Sequence, residues 1–423
     1  MMKSCFSLIT WGIIMFSIAC SCTTDIPKHA TVYIVPVYGQ SLALGEEATL
    51  VTNFDSLKIK NNHRIRTELL DEEFGYFSNT RFKQYIKRLL KDRERSFEVS
   101  CYGLGEYLCQ ALDDSIYICT FPAGQGATEI AGLSKGTPAY NKLIKQIIKL
   151  QDIAERKELN LSMPAFCWHQ GENDVVWNTN IDYKYFLEQF RLDLEQDVQT
   201  ILHTNIPLAC ILYQTNCLSI SKDSFDMNLY ECSQTKVPMA QLELIKDNPC
   251  FHASSPVYPY NVVREYVHID GIGQKQLGYM EGVAIERLLN GQKNKGLIPN
   301  NITTIHDTIV ISFNIPYPPL KLDTIHVRKI ENYGFSVINF NNKNILKKCW
   351  LNEDKIYLLC DTYPIDAKIR YAVNGEYGKS GYINGSRGNL RDSQGDSLTF
   401  QISQNIYPLH NWCYMFEMVN KHY

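Results

Sequence analysis

Between residues 31 and about 290, short apolar runs alternate with stretches whose apolar positions recur every three or four residues. The runs are Thr31–Val37, Ser115–Phe121, Pro164–Trp168 and Ile206–Tyr213. They are continuous rather than alternating, which predicts strands buried on both faces. Helices are predicted in Tyr140–Glu155, through Leu143, Ile144, Ile147, Leu150 and Ala154, and in Asp182–Leu202, through Phe186, Phe190, Leu194, Val198 and Ile201. Gly273–Leu289 is the last helix of this half. Strands alternating with helices predict a parallel sheet covered on both faces. After about residue 296 the helical period disappears. Thr308–Ile315 alternates Ile309, Ile311 and Phe313 with polar neighbours, and Lys355–Cys360 and Ala367–Val373 are further strand-like pieces. This part predicts a small antiparallel β domain. Leu289–Asn301, with its Asn, Gly, Lys and Pro, is the expected linker, so the domains are placed at 28–292 and 300–423.

Composition adds bounds. The chain has 423 residues, room for two to three domains. A formal net charge of −3 gives no basic field, and nucleic acid is not an expected partner. Tyrosine is plentiful at 26 copies, and its flat face with a polar tip suits sugar-binding surfaces and wet interfaces. At the N-terminus, Lys3 precedes the mostly apolar Phe6–Ala19, too short for a spanning helix. Residues 1–22 therefore read as an export leader. Its end resembles a bacterial lipoprotein signal, with Cys20 after Ala19, or Cys22 after Ser21, as the lipid-bearing residue. The expected location is periplasmic or cell-surface, with membrane contact only through that anchor. Beyond Cys5, Cys20 and Cys22 there are eleven cysteines, an odd number with no CxxC pair. Free buried thiols are expected.

Candidate chemistry sits at the ends of the predicted strands, where an open parallel sheet binds ligands. Gly39-Gln40-Ser41 follows the first strand, a place where a turn lifts a serine hydroxyl clear of the sheet. Trp168-His169-Gln170-Gly171-Glu172-Asn173-Asp174 follows another. There Gln170 is a candidate oxyanion donor, Glu172 a candidate partner for an imidazole, and Asp174 a candidate helix cap. Gly124-Gln125-Gly126 follows a third strand, where glycine lets a backbone N–H approach a reacting group. Glu265-Tyr266-Val267-His268 precedes the last helix. Among ten histidines, His268 is the candidate general base, with His169 as its rival. A metal centre on His169, Glu172 and Asp174 lacks any familiar ligand spacing, so no metal or other cofactor is expected.

These blocks, in this order, resemble the SGNH (GDSL-type) hydrolases, in the carbohydrate-esterase branch of sialate O-acetylesterases and acetyl xylan esterases. The resemblance covers roughly residues 30–290. It implies a three-layer α/β/α, flavodoxin-like fold and a serine esterase that removes O-acetyl groups from sialic acid or an acetylated polysaccharide. By its motifs Ser41 matches the nucleophile and His268 the general base. The backbone N–H of Ser41, Gly126 (or Gly124) and Gln170 match the oxyanion hole. The triad acid falls on Glu172 or, in the place of the usual aspartate of DxxH, on Glu265. A weaker match, Ile369-Arg370-Tyr371-Ala372-Val373 and Gly388-Asn389-Leu390-Arg391, makes 300–423 a β-sandwich-like accessory domain, with a separate glycan-binding module as the alternative. A decayed hydrolase that only binds glycans remains the rival to an enzyme.

Overall fold

The computed structural model describes residues 26–53, 97–177, 179–218 and 233–420, with the backbone of two strand pieces at 65–67 and 75–76. The expected leader and its Cys20 or Cys22 lie outside the described residues. The first half is built on a largely parallel sheet. Its main strands are β1 (Thr31–Gly39), β4 (Ile116–Gly124), β6 (Ala165–His169), β7 (Ala209–Gln214) and β8 (Phe251–Pro256), in the order β4-β1-β6-β7-β8. That is the flavodoxin-like order, with a switch point between β1 and β6. β2 (Ile65–Thr67) adds to the outer edge of β4, β3 (Gly75–Tyr76) runs antiparallel to it, and β5 (Asn160–Ser162) pairs with the start of β1.

Helices cover both faces. α1 (Ser100–Ala111) and α7 (Gly271–Leu289) pack together on one side. On the other lie α3 (Pro138–Arg156), α5 (Tyr183–Leu202) and α6 (Lys236–Asp247), while α2 (Ile130–Leu133) and α4 (Glu172–Val176) are single turns at the rim. The expected strands and helices appear within a few residues of their predicted bounds. Two things escaped the pattern. β8 reads Phe-His-Ala-Ser-Ser-Pro, polar enough to pass for a loop, yet all six residues are buried. α7 is buried around most of its circumference, so it lacks the polar face that marks a surface helix.

The second half is antiparallel. β9 (Ile298–Ile305), β10 (Thr308–Asn314), β12 (Leu346–Asn352) and β13 (Lys355–Cys360) form one sheet, ordered β12-β13-β10-β9. β11 (Phe335–Ile338), β14 (Lys368–Tyr371) and β15 (Phe416–Val419) form another. Phe313 of the first meets Phe416 of the second, ring centroids 6.5 Å apart. This half is stitched to the parallel sheet. The Gln214 side chain donates to Met415 O and accepts from Met415 N, at 2.9 and 2.7 Å. Asn294, in the connection after α7, accepts from Ala253 N and returns a side-chain bond to Ala253 O. One apolar core runs through both halves. Of the ten described cysteines, all but Cys250 are buried.

Candidate active site

β1 ends on Gly39, and the chain turns at once. The Gln40 N–H donates to His169 O at 2.9 Å, and Ser41 O accepts from the N–H groups of Leu44 and Glu46. The strand ends are pressed together here. A Cβ on Gly39 would lie 2.0 Å from His169 O, and one on Gly124, whose φ is +128°, would lie 1.8 Å from Gly39 O. Both positions require glycine because backbone meets backbone. Gly126 is different: a Cβ there would meet nothing nearer than Glu46 Oε2 at 3.4 Å. Of the two candidate glycines, Gly124 belongs to the sheet and Gly126 to the open loop. Among the described residues, neither the Ser41 nor the Gly126 N–H is taken by a backbone carbonyl.

His268 reaches this turn from the segment before α7, whose N-cap, Asp270, accepts from Gly273 N at 2.8 Å. His268 Nε2 lies 2.8 Å from Ser41 Oγ. Its Nδ1 lies 2.8 Å from Glu47 Oε2. Glu46 Oε2 is 3.8 Å from the same ring's Nε2. Glu47 sits at a left-handed φ of +62°, which turns its carboxylate back over the loop, and it also pairs with Arg264 at 3.3 Å. Neither glutamate was singled out from the sequence. The available signal was two adjacent carboxylates five and six residues past the serine.

The structure puts the two expected acids elsewhere. Glu172 is buried and accepts from Tyr213 Oη, at 2.6 and 2.8 Å to its two oxygens, and that burial raises its pKa above the ordinary carboxylate value. Its carboxylate is taken up by Tyr213 of β7, although Glu172 also lines the hollow over Ser41. Glu265 faces the second half, where it accepts from Lys379 Nζ at 3.1 Å and Asn384 Nδ2 at 2.8 Å. Neither makes a bond to His268. Gln170 is likewise withdrawn. It is fully buried, its amide donates to Thr128 O and to Asp174, and its Oε1 accepts from Tyr183 Oη at 2.8 Å. It braces the loop from below and is not free to donate to an oxyanion. The rival His169 is fully buried and its Nε2 is bonded to Glu281 on α7. Asp174 accepts from Ile130 N at 3.0 Å, capping α2 and tying the loops after β4 and β6 together. His169, Glu172 and Asp174 thus have three separate sets of partners.

A half-open hollow of about 360 Å³ lies over Ser41, lined also by Asn173, Val176, Trp177, Tyr266 and His268. Trp177 and Tyr266 are exposed at its rim. Asn173, partly exposed, is the one side-chain amide besides Gln40 on this wall. In sequence, nothing sets Asn173 apart from its neighbours in the block after β6.

The sheet order, with Ser41 and His268 gathered at its switch point, matches the three-layer α/β/α fold of SGNH-type hydrolases. Residues 91–281 match the family model described as carbohydrate esterase, sialic acid-specific acetylesterase. A carbohydrate acetylesterase from Xanthomonas citri is 13% identical and superposes with a TM-score of 0.58, covering 92% of this chain and 80% of that one. A protein from Arabidopsis thaliana is 16% identical at a TM-score of 0.44, over 60% of this chain and 97% of that one. At 13% identity the first of these likenesses speaks for the fold alone. No curated protein matches the sequence. Over residues 91–281 the chain is thus similar to that carbohydrate-esterase family, and it is a carboxylic ester hydrolase with an SGNH-type fold.

Proposed function

We propose that this protein removes O-acetyl groups from carbohydrate through an acyl-enzyme on Ser41. The observation that carries the reading is the unbroken line Ser41 Oγ, His268 and Glu47, with both links at 2.8 Å. With Nδ1–H donating to Glu47, Nε2 is left as an acceptor for the serine proton. His268 takes that proton as Oγ attacks the ester carbonyl. The negative charge on the carbonyl oxygen is received by the N–H groups of Ser41 and Gly126, with the Asn173 amide as the side-chain donor. His268 then protonates the departing alcohol, and water, activated by the same nitrogen, releases acetate. The matched family supports a sugar ester as substrate, sialic acid or an acetylated polysaccharide, and Trp177 and Tyr266 offer flat faces for a sugar ring. The test is Ser41→Ala, assayed on an aryl acetate and on O-acetylated sialic acid and xylan. Turnover on every accepted ester is expected to fall by about 10³-fold or more. Turnover at the parent rate overturns the nucleophile. Aryl acetate hydrolysis without acetate release from any of the sugars overturns the carbohydrate substrate.

A further inference from the structure

A second group of titratable side chains lies in the antiparallel half, away from Ser41. One donor atom from each of Asp323, His326 and His410 lies within 4.8 Å of the others. His410 is buried, and neither of its ring nitrogens has a hydrogen-bond partner among the described residues. A buried imidazole without a partner forfeits the hydrogen bonds it made in water, which calls for a ligand or a metal to replace them. Gly395 packs against its Nδ1 edge, where a Cβ would stand 2.4 Å away, so Nε2 is the nitrogen with room to ligate. The His326 ring stands edge-on to it, centroids 5.4 Å apart. Asp323 Oδ2 lies 2.8 Å from His326 Nδ1 and 2.6 Å from Arg391 Nε, and Oδ1 accepts the N–H groups of Ile325 and His326. That carboxylate is fully engaged, so it fixes the His326 ring with Nε2 pointing away from it. A carboxylate behind a histidine is the usual support of an imidazole that ligates a metal. Both imidazoles line a hollow of about 380 Å³, shared with Asp270, Tyr382, Tyr407 and Trp412, which gives an entry path from solvent.

We propose that His326 and His410 bind one divalent transition-metal ion, oriented by Asp323, with water filling the remaining positions. The nearby charges cancel: Arg391 is paired with Asp323 and Asp396, and Lys321 with Asp396. Asp323 spends its oxygens on Arg391, His326 and two backbone N–H groups, so the site does not suit calcium or magnesium. Two neutral imidazoles suit zinc, nickel or copper. The inference is independent of the chemistry at Ser41. It is tested by calorimetric titration of the chelator-stripped full chain with Zn²⁺ alone. One saturable ion per chain is expected, together with a rise in the thermal midpoint when zinc is added. His326→Ala, at an exposed position, is expected to abolish both. Asp323→Asn is expected to weaken binding by about 10–100-fold. Absence of saturable binding, or zinc binding by His326→Ala equal to that of the parent, overturns the proposal.

Discussion

The residue that changes the reading of the site is Glu47. Its carboxylate holds His268 Nδ1 at 2.8 Å, whereas Glu172 spends both oxygens on Tyr213 and Glu265 spends its own on Lys379 and Asn384. An acid that orients the base and stabilises the imidazolium contributes only where it touches the ring. Glu47→Gln is therefore expected to lower kcat by about 10²–10⁴-fold with little change in KM. Glu172→Gln and Glu265→Gln are expected to act through loop geometry alone and to cost less. Steady-state kinetics of the three variants on one aryl acetate decide the matter, and a ranking with Glu172→Gln lowest would return the acid to the block after β6. The serine, the histidine and the glycines were legible because their neighbours in the chain mark them. The acid was not, because a left-handed residue in a tight turn can point its side chain anywhere the fold permits.

At the scale of elements, the site is a meeting of three loops, each braced from behind. Asp174 and Gln170 tie the loops after β4 and β6. Asp270 caps α7 and sets the approach of His268. The segment around Ser380 grips the turn at 263–265: Ser380 N donates to Glu265 O at 2.8 Å, beside the two side-chain bonds to Glu265. The antiparallel half, to which the sequence reading assigned no chemistry, thereby holds the segment that carries the histidine. Glu265→Ala removes two of these bonds and leaves Ser41, His268 and Glu47 untouched. We expect kcat to fall by about tenfold with the thermal midpoint lowered by no more than a few degrees. Addition of a Lys379→Ala substitution should cost little more, because the pair is already broken. Additive losses would show that the two side chains act separately.

Over the whole molecule, the two halves share one core and a sewn edge at β7 and β8. That edge carries a titratable group. His252 of β8 accepts from Asn294 N at 3.3 Å, and its pKa is lowered to about 4, chiefly by burial and then by the Lys293 ammonium. The unfolded chain binds a proton at this residue below about pH 6.5, while the native protein refuses it down to about pH 4. Stability contributed here is complete above about pH 6.5, declines as the pH falls through that window, and levels off below it. The expected loss is about 2 kcal/mol between pH 7 and 4.5. Urea midpoints at those two pH values should separate less in His252→Gln than in the parent, and an equal separation refutes the assignment.

The sequence by itself determined the alternation of strand and helix, the change to antiparallel strands after about residue 296, and the marks that single out Ser41 and His268 as candidates. Each of these is written in local pattern, in the period of apolar residues or in a turn that follows a strand. Only the tertiary structure decided where Gln170, Glu172 and Glu265 point, which of Gly124 and Gly126 the sheet consumes, and that Glu47 meets His268. Those outcomes rest on close approach between segments far apart in the chain. A side chain next to a motif can turn toward the pocket or beneath it at equal local cost, and only the packing around it chooses.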